Sequence, residues 1–319
     1  MGKQNQREVR SPPTRVERRE IRQKLGPLRS LLVSPKTLSR YKNAVLCFFA
    51  LLKANDMSHG RNPIEVDLHV SIYIESLWDE GESRSLATDC LSGLQMFLPC
   101  LKRNMFGAWR LVTAWQKHEL LCRAPPLLPL FVLAMAGQAR KEGNLRFGIC
   151  LLLGFHCLLR TIEILHVTCQ DILFSDNLNS AILQLPNTKS QQRTGNAESV
   201  TVTDSHLVKL LFSLVRHREP GDSLLDLSAA QFRAYFQKLC VSTALPDAAW
   251  QPYSLRRGGA TADFRAYGKL DSTMVRGRWS NQRTCRIYIN DAMSMLPLLT
   301  VSAKDQERLE KLGTLMGGG

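Results

Sequence analysis

Two adjacent prolines, Pro125 and Pro126, break a chain that reads as helical on either side of them, and that break constrains its architecture most. Proline fixes its own φ, removes a backbone donor and restricts the residue before it, so neither flanking helix can run through the pair. An extended, semi-rigid connection suits the stretch Arg123-Ala124-Pro125-Pro126. At 319 residues the chain is also long for one domain. Two separate cores divided near residue 124 are the expected arrangement.

Upstream of the prolines, Ser34-Pro35 supplies an N-cap and a first-turn proline, followed by Tyr41, Val45, Phe48, Phe49 and Leu52 at helical spacing. A second helix is predicted over 66–80. After the break at Gly81-Glu82-Ser83 a third runs over 85–99, with Leu86, Cys90, Leu94 and Phe97 on one stripe, and a fourth over 107–121. Residues 1–30 hold nine Lys or Arg against three Glu, interrupted by Pro12 and Pro13, and predict a mobile basic arm. A solvated tail, a DNA-tracking arm and a nuclear address all need only that charge.

Downstream, 127–139 and 144–159 read as buried helices, and then the period changes. Short apolar or β-branched runs at 171–174, 181–185 and 199–203, separated by polar turns, predict a three-stranded antiparallel sheet. Helices resume near Asp204 and continue through Tyr288. Ser302-Ala303-Lys304-Asp305 then reads as a cap opening a helix to about Leu312. Its Leu309, Leu312 and Leu315 can dock on a neighbouring copy or fold back on their own chain. The expected class is mainly α with a small antiparallel β-sheet.

A formal charge of +14 favours polyanionic partners, nucleic acid before membrane. The most apolar run, 147–159, is shorter than the roughly 20 residues a bilayer span needs and carries His156 in its middle. Nine cysteines between Cys47 and Cys285 form no C-x-x-C pair, so no zinc site or disulfide framework is expected. Reduced intracellular thiols fit that pattern, and the N-terminus lacks the apolar core of a secretion signal. His156 and His166 read as helix-packing residues rather than metal ligands.

The residues suited to chemistry fall in four stretches: Leu158-Leu159-Arg160-Thr161-Ile162-Glu163, Pro186-Asn187-Thr188-Lys189, Tyr253-Ser254-Leu255-Arg256-Arg257-Gly258-Gly259, and Trp279 with Tyr288 nine residues beyond it. A phosphodiester repels nucleophiles and concentrates charge on its non-bridging oxygens in the transition state, so preorganised cations lower the barrier. Guanidiniums present paired, permanently charged donors that match phosphate. Each residue alone is weak evidence; the ordered set is much more specific.

In that order the residues resemble the tyrosine recombinase (phage integrase) family. Its second conserved block runs His-x-x-Arg, a Gly-rich helix start, His or Trp, then the nucleophilic Tyr. The resemblance covers residues 127–290 by motif and 34–121 by helical pattern. It implies a basic arm over 1–30, a helical core-binding (SAM-like) DNA-binding domain over 31–124, a catalytic domain of the DNA breaking-rejoining enzyme fold over 125–300, and a C-terminal helix or tail over 301–319. The two domains would form a C-shaped clamp on duplex DNA.

The resemblance also implies roles. Tyr288 attacks phosphorus to give a 3′-phosphotyrosyl intermediate and a free 5′-hydroxyl. Arg160 and Arg256 stabilise the phosphate, Glu163 holds Arg160, Lys189 protonates the leaving oxygen, and Trp279 donates its N–H to a phosphate oxygen. Arg257, Arg278 and Arg193 would contact DNA. Tyr253 stands where the family has histidine, and a phenol donates a hydrogen bond but is rarely a base, so slower chemistry is expected. No ATP, metal or other cofactor is implied, no membrane and no small-molecule substrate. The implied assembly is a homotetramer on two DNA sites, carrying out integration or excision of a mobile element. The expected compartment is intracellular: the nucleus of a eukaryote, or the cytoplasm or nucleoid of a prokaryote. A type IB topoisomerase uses the same residues without pairing two sites, and a non-catalytic DNA-binding descendant of a recombinase is the other alternative.

Overall fold

The computed structural model describes residues 14–119, 122–186, 188 and 198–317, and the chain divides into two compact units between Cys122 and Arg123. Lys189 and Arg193 lie outside the described residues.

The arm, expected to be mobile, contains a helix in its described part. This α1, Arg15–Leu25, opens on a reciprocal cap: Thr14 Oγ1 accepts the Glu17 N–H at 3.3 Å and Glu17 Oε2 accepts the Thr14 N–H at 2.7 Å. It closes at Gly26, whose φ of +80° suits glycine. None of its residues is buried.

The rest of the first unit is a four-helix cluster: α2 (Pro35–Ala54), α3 (Pro63–Asp79), α4 (Arg84–Phe97) and α5 (Phe106–His118). Ser34 caps α2 by accepting the Thr37 N–H at 3.2 Å, with Pro35 in the first turn. Phe48, Leu52, Val70, Ile74, Leu91, Leu94 and Trp115 fill the centre. Fully burying a side chain of this size contributes roughly 1.5–3 kcal/mol. Met105 gives α5 no cap of its own. Instead the Asp67 carboxylate, on α3, accepts the Gly107 and Ala108 N–H groups at 2.8 and 2.9 Å, joining the two helices.

The second unit is built around α6 (Pro129–Lys141) and α7 (Leu145–His156), whose Phe131, Met135, Phe147, Ile149 and Leu153 are fully buried. A short helix, α8 (Thr161–His166), leads to a sheet of order β1-β2-β3: Ile172–Phe174, Ala181–Leu185 and Glu198–Val202, antiparallel throughout. Ala181, Leu183 and Leu185 pair with Val202, Val200 and Glu198, so one face of alternating residues turns to the core. Then follow α9 (Ser205–Val215), α10 (Ala229–Ser242), α11 (Tyr253–Tyr267), α12 (Leu270–Arg276), α13 (Gln282–Tyr288), α14 (Asp291–Leu299) and α15 (Ala303–Thr314).

Of the two placements open for the C-terminal leucines, the chain adopts the fold-back on itself. Helix α15 packs on α6 so closely that a Cβ on Gly137 would sit 1.7 Å from the Leu312 carbonyl oxygen. Leu309 is buried, while Leu315 stays exposed. Arg140 donates to the Leu315 carbonyl at 2.6 Å and Arg308 to the Thr243 carbonyl at 2.9 Å. Among the described residues no helix is long and apolar enough to cross a membrane.

Candidate active site

The first turn of α11 carries Tyr253, Arg256 and Arg257, and the helix is seated by two glycines. A Cβ on Gly258 would lie 2.1 Å from the Leu127 carbonyl oxygen, and one on Gly259 2.1 Å from that of Phe155. Both positions therefore serve close packing of α11 within its own unit.

Among the described residues Arg256 is the largest fully buried side chain, with none of its surface exposed. It donates to the Leu158 carbonyl, and its Nη2 to the Gly277 carbonyl at 2.7 Å. Leu158 and Arg278 both have positive φ, +51° and +57°. Non-glycine residues in that region carry about 1–3 kcal/mol of strain each and concentrate at functional sites. Burial, helped by Arg160 and Arg278 nearby, lowers Arg256 to about 10, so it stays charged at neutral pH.

Arg160 precedes α8, and its guanidinium pairs with Glu163, whose Oε2 also accepts the Arg160 backbone N–H at 2.8 Å. Glu163 is buried and serves three arginines: Arg160, Arg278 at 2.7 Å and Arg256 at 3.8 Å. Unlike Arg256, the Arg160 side chain keeps 25% of its surface exposed, so it can meet a ligand from solvent.

Trp279 lies beneath this cluster. The Arg256 guanidinium carbon stands 4.8 Å from the centre of the Trp279 ring system and 5.2 Å from the Tyr288 ring centre, within cation–π range. The Tyr288 ring neighbours Trp279 at 4.5 Å and Tyr253 at 5.4 Å between centroids. The structure thus brings together Arg160, Glu163, Tyr253, Arg256, Trp279 and Tyr288, six positions singled out in the sequence.

Tyr253 and Tyr288 form one hydrogen-bonded pair with opposite shifts. Burial raises Tyr253, and the neighbouring Tyr288 oxygen raises it further. Burial alone would also raise Tyr288, but the hydrogen bond from Tyr253 and the Arg256 charge outweigh it and bring its pKa below that of an ordinary phenol. The Trp279 Nε1–H is buried and makes no hydrogen bond among the described residues.

Arg257 and Arg278, expected to contact DNA, have protein partners here. Arg257 donates to the Ala124 carbonyl at 2.5 Å and to the Ile287 carbonyl at 3.3 Å. Arg278 is buried and ion-paired with Glu163 at 2.7 Å and Glu198 at 3.5 Å. Burial lowers both arginines from their ordinary values.

Four further residues, of which only Thr261 falls within a sequence motif, at the end of the stretch Tyr253 to Thr261, support the cluster. Thr261 Oγ1 donates to the Arg257 carbonyl of its own helix at 2.9 Å and accepts the Asn290 N–H at 3.2 Å, while Arg257 reaches the Ile287 carbonyl, so α11 holds the backbone on both sides of the tyrosine. Asp263 joins α11 to α12 through Thr273 at 2.6 Å and Arg276 at 2.7 Å. Glu198 brings the start of β3 to Arg278. A Cβ on Gly277 would overlap the Trp279 ring at 1.9 Å, and a glycine two residues before a buried Trp is the sequence signal for that contact.

No protein-family model matches the sequence, and no curated protein matches it either. Solved structures do match its fold. One is the Tn1549 transposon integrase in complex with transposon right end DNA, 12% identical, covering 90% of this chain and 98% of that one with a TM-score of 0.57. Another is a lambda integrase dimer bound to a COC′ core site, 14% identical, covering 83% of this chain and 74% of that one with a TM-score of 0.56. The chain therefore has the tyrosine recombinase fold: mainly helical with a small three-stranded antiparallel sheet, a core-binding type of unit followed by a catalytic type. At these identities the likeness concerns fold.

Proposed function

We propose that the protein is a site-specific DNA recombinase that breaks and rejoins duplex DNA through Tyr288. The observation that carries this reading is the convergence on Tyr288 of the Arg256 guanidinium, 5.2 Å from its ring centre, with Trp279 and Tyr253 packed at 4.5 and 5.4 Å and Glu163 joining Arg256 to Arg160. The phenol loses its proton to solvent, and its oxygen attacks phosphorus. The bond from phosphorus to the 5′ oxygen breaks, leaving a 3′-phosphotyrosyl ester. Lys189 protonates the departing oxygen, giving the 5′-hydroxyl whose attack later reverses the step. Arg160, whose side chain is reachable from solvent, takes the charge of the non-bridging oxygens, while the buried Arg256 adds its positive charge from behind the Tyr288 and Trp279 rings. Tyr253 acts as donor to the phenolate, in place of a proton-accepting histidine.

We assign Arg257 and Arg278 mainly to holding the site together, in view of their protein partners. Arg193 is kept as a duplex contact. A homotetramer pairing two DNA sites, with integration or excision of a mobile element as the outcome, completes the proposal.

The test is covalent trapping. Protein is incubated with nicked duplexes drawn from sequence flanking its own gene and run on denaturing gels beside Tyr288→Phe. A slow-migrating band that requires Tyr288 is expected. Duplex binding without any band, under conditions where a known recombinase traps on its own site, would replace the enzyme with a DNA-binding protein. Relaxation of supercoils without any two-site product would replace it with a type IB topoisomerase.

A further inference from the structure

Arg278, the residue before Trp279, has a φ of +57°, a conformation in which glycine is at ease and a β-carbon is strained. Its side chain is only 7% exposed, and burial disfavours its charge. Strain and desolvation both oppose an arginine at this position, so its contacts must outweigh them. Among the described residues those contacts engage every nitrogen of the guanidinium. Nη1 donates to the Cys157 carbonyl at 3.3 Å, Nη2 donates to the Leu158 carbonyl at 3.5 Å and to Glu163 Oε2 at 2.7 Å, and Nε lies 3.5 Å from Glu198 Oε2.

The Glu163 contact divides that carboxylate between two arginines. Oε2 accepts from Arg278 and from the Arg160 backbone N–H at 2.8 Å, which leaves Oε1 for the Arg160 guanidinium, met through Nη1. An arginine and a carboxylate with both oxygens open pair fork to fork, through two parallel hydrogen bonds. Arg278 fills the place on Oε2 that such a pairing would use. Nε and Nη2 of Arg160 consequently have no partner among the described residues, on a side chain that stays partly exposed.

We infer that Arg278 is a positioning residue for the proposed cleavage: by holding Glu163 Oε2 it keeps Arg160 gripped at one nitrogen and leaves the other guanidinium donors open to the scissile phosphate. Glu198, at the start of β3, braces Arg278 from its other side. Arg278 itself has no nitrogen left to offer a phosphate. This role rests on the proposed function, in which Arg160 meets the non-bridging oxygens.

The experiment compares the wild-type chain with Arg278→Gly, with Arg278→Gly plus Glu163→Gln, and with Arg278→Gly plus Glu198→Gln. Single-turnover trapping on the same nicked duplexes is read beside denaturant midpoints. Glycine suits the local φ, so Arg278→Gly should fold. Its trapping should fall by about 10²-fold, the cost of misplacing a group from a distance, as Glu163 closes on Arg160 with both oxygens. Glu163→Gln removes one of those oxygens and should recover roughly tenfold, whereas Glu198→Gln, which restores the same charge, should recover nothing. Equal recovery in the two double variants would reduce Arg278 to its charge and overturn the inference. No recovery in either, or trapping losses that follow the midpoints, would reduce it to support of the fold and also overturn it. A crystal structure of Arg278→Gly reads the geometry without any chemistry: Arg160 paired to both Glu163 oxygens is expected, and Arg160 still held at Oε1 alone would sink the inference. If the wild type itself never traps, the recombinase reading fails, and that structure alone decides whether Arg278 positions Arg160.

Discussion

The Tyr253 and Tyr288 rings stand 5.4 Å apart between centroids, and Tyr253 is the neighbour whose hydroxyl most lowers the Tyr288 phenol against the effect of burial. A donor at this position stabilises the ionised nucleophile, whereas a histidine base would remove its proton.

Tyr253→Phe removes the donor, so the Tyr288 pKa rises. Cleavage that increases with pH as the phenol ionises should then require a higher pH. A tenfold lower phenolate fraction at pH 7 accompanies each rise of about one in that pKa. Single-turnover trapping across a pH series checks this, and an unchanged profile would remove Tyr253 from the activation.

Arg256→Lys and Arg160→Lys should separate by their effect on stability. The buried Arg256 bonds the Leu158 and Gly277 carbonyls, and a lysine that leaves either unpaired costs about 1–3 kcal/mol. Arg160, with its partly exposed side chain, should lose less. Both should lower trapping by about 10²–10³ if they stabilise the transition state. Denaturant midpoints and trapping rates on the same preparations test the contrast.

Gly277→Ala places a methyl against the Trp279 ring, and such overpacking typically costs about 1–3 kcal/mol. The indole must move, which should alter the intrinsic fluorescence and reduce trapping. Adding Trp279→His, a smaller ring, should recover part of the stability. A double variant no more stable than Gly277→Ala would show that the clash lies elsewhere.

His156 gives the fold an acid sensitivity. Burial lowers it to about 4, and its Nε2 accepts the Thr203 N–H at 3.3 Å, which requires the neutral ring. Below the ordinary histidine pKa of about 6.5 the unfolded chain binds a proton that the folded chain refuses. Stability is therefore full above that pH and falls as pH drops toward 4. Urea midpoints at pH 7 and pH 5 should differ by less in His156→Gln than in wild type.

Much of the fold is legible in the sequence because local signals and burial agree. Ser34-Pro35 opens α2 where its cap chemistry indicates, and the change to period two locates all three strands to within a residue or two. Helix α1 escapes such a reading because no core stripe marks it; its evidence is the Thr14–Glu17 cap, which the arginines obscure. The six clustered site residues are legible as types in order. Protein contacts of Arg257 and Arg278 are not, since a sequence gives arginine charge but not the distant carbonyl or carboxylate that meets it. Glu198 depends on β3 reaching Arg278, a tertiary fact with no local trace.

Arg257 and Thr261 fasten the backbone around Tyr288 to the same helix that bears Arg256. Tyr288 and Arg256 are consequently held by one helix, so a shift of that helix carries the phenol and the guanidinium together. In the recombinase proposed here, a restraint on activity would then have to act on the approach of the scissile phosphate, since the tyrosine cannot be withdrawn without moving the arginine.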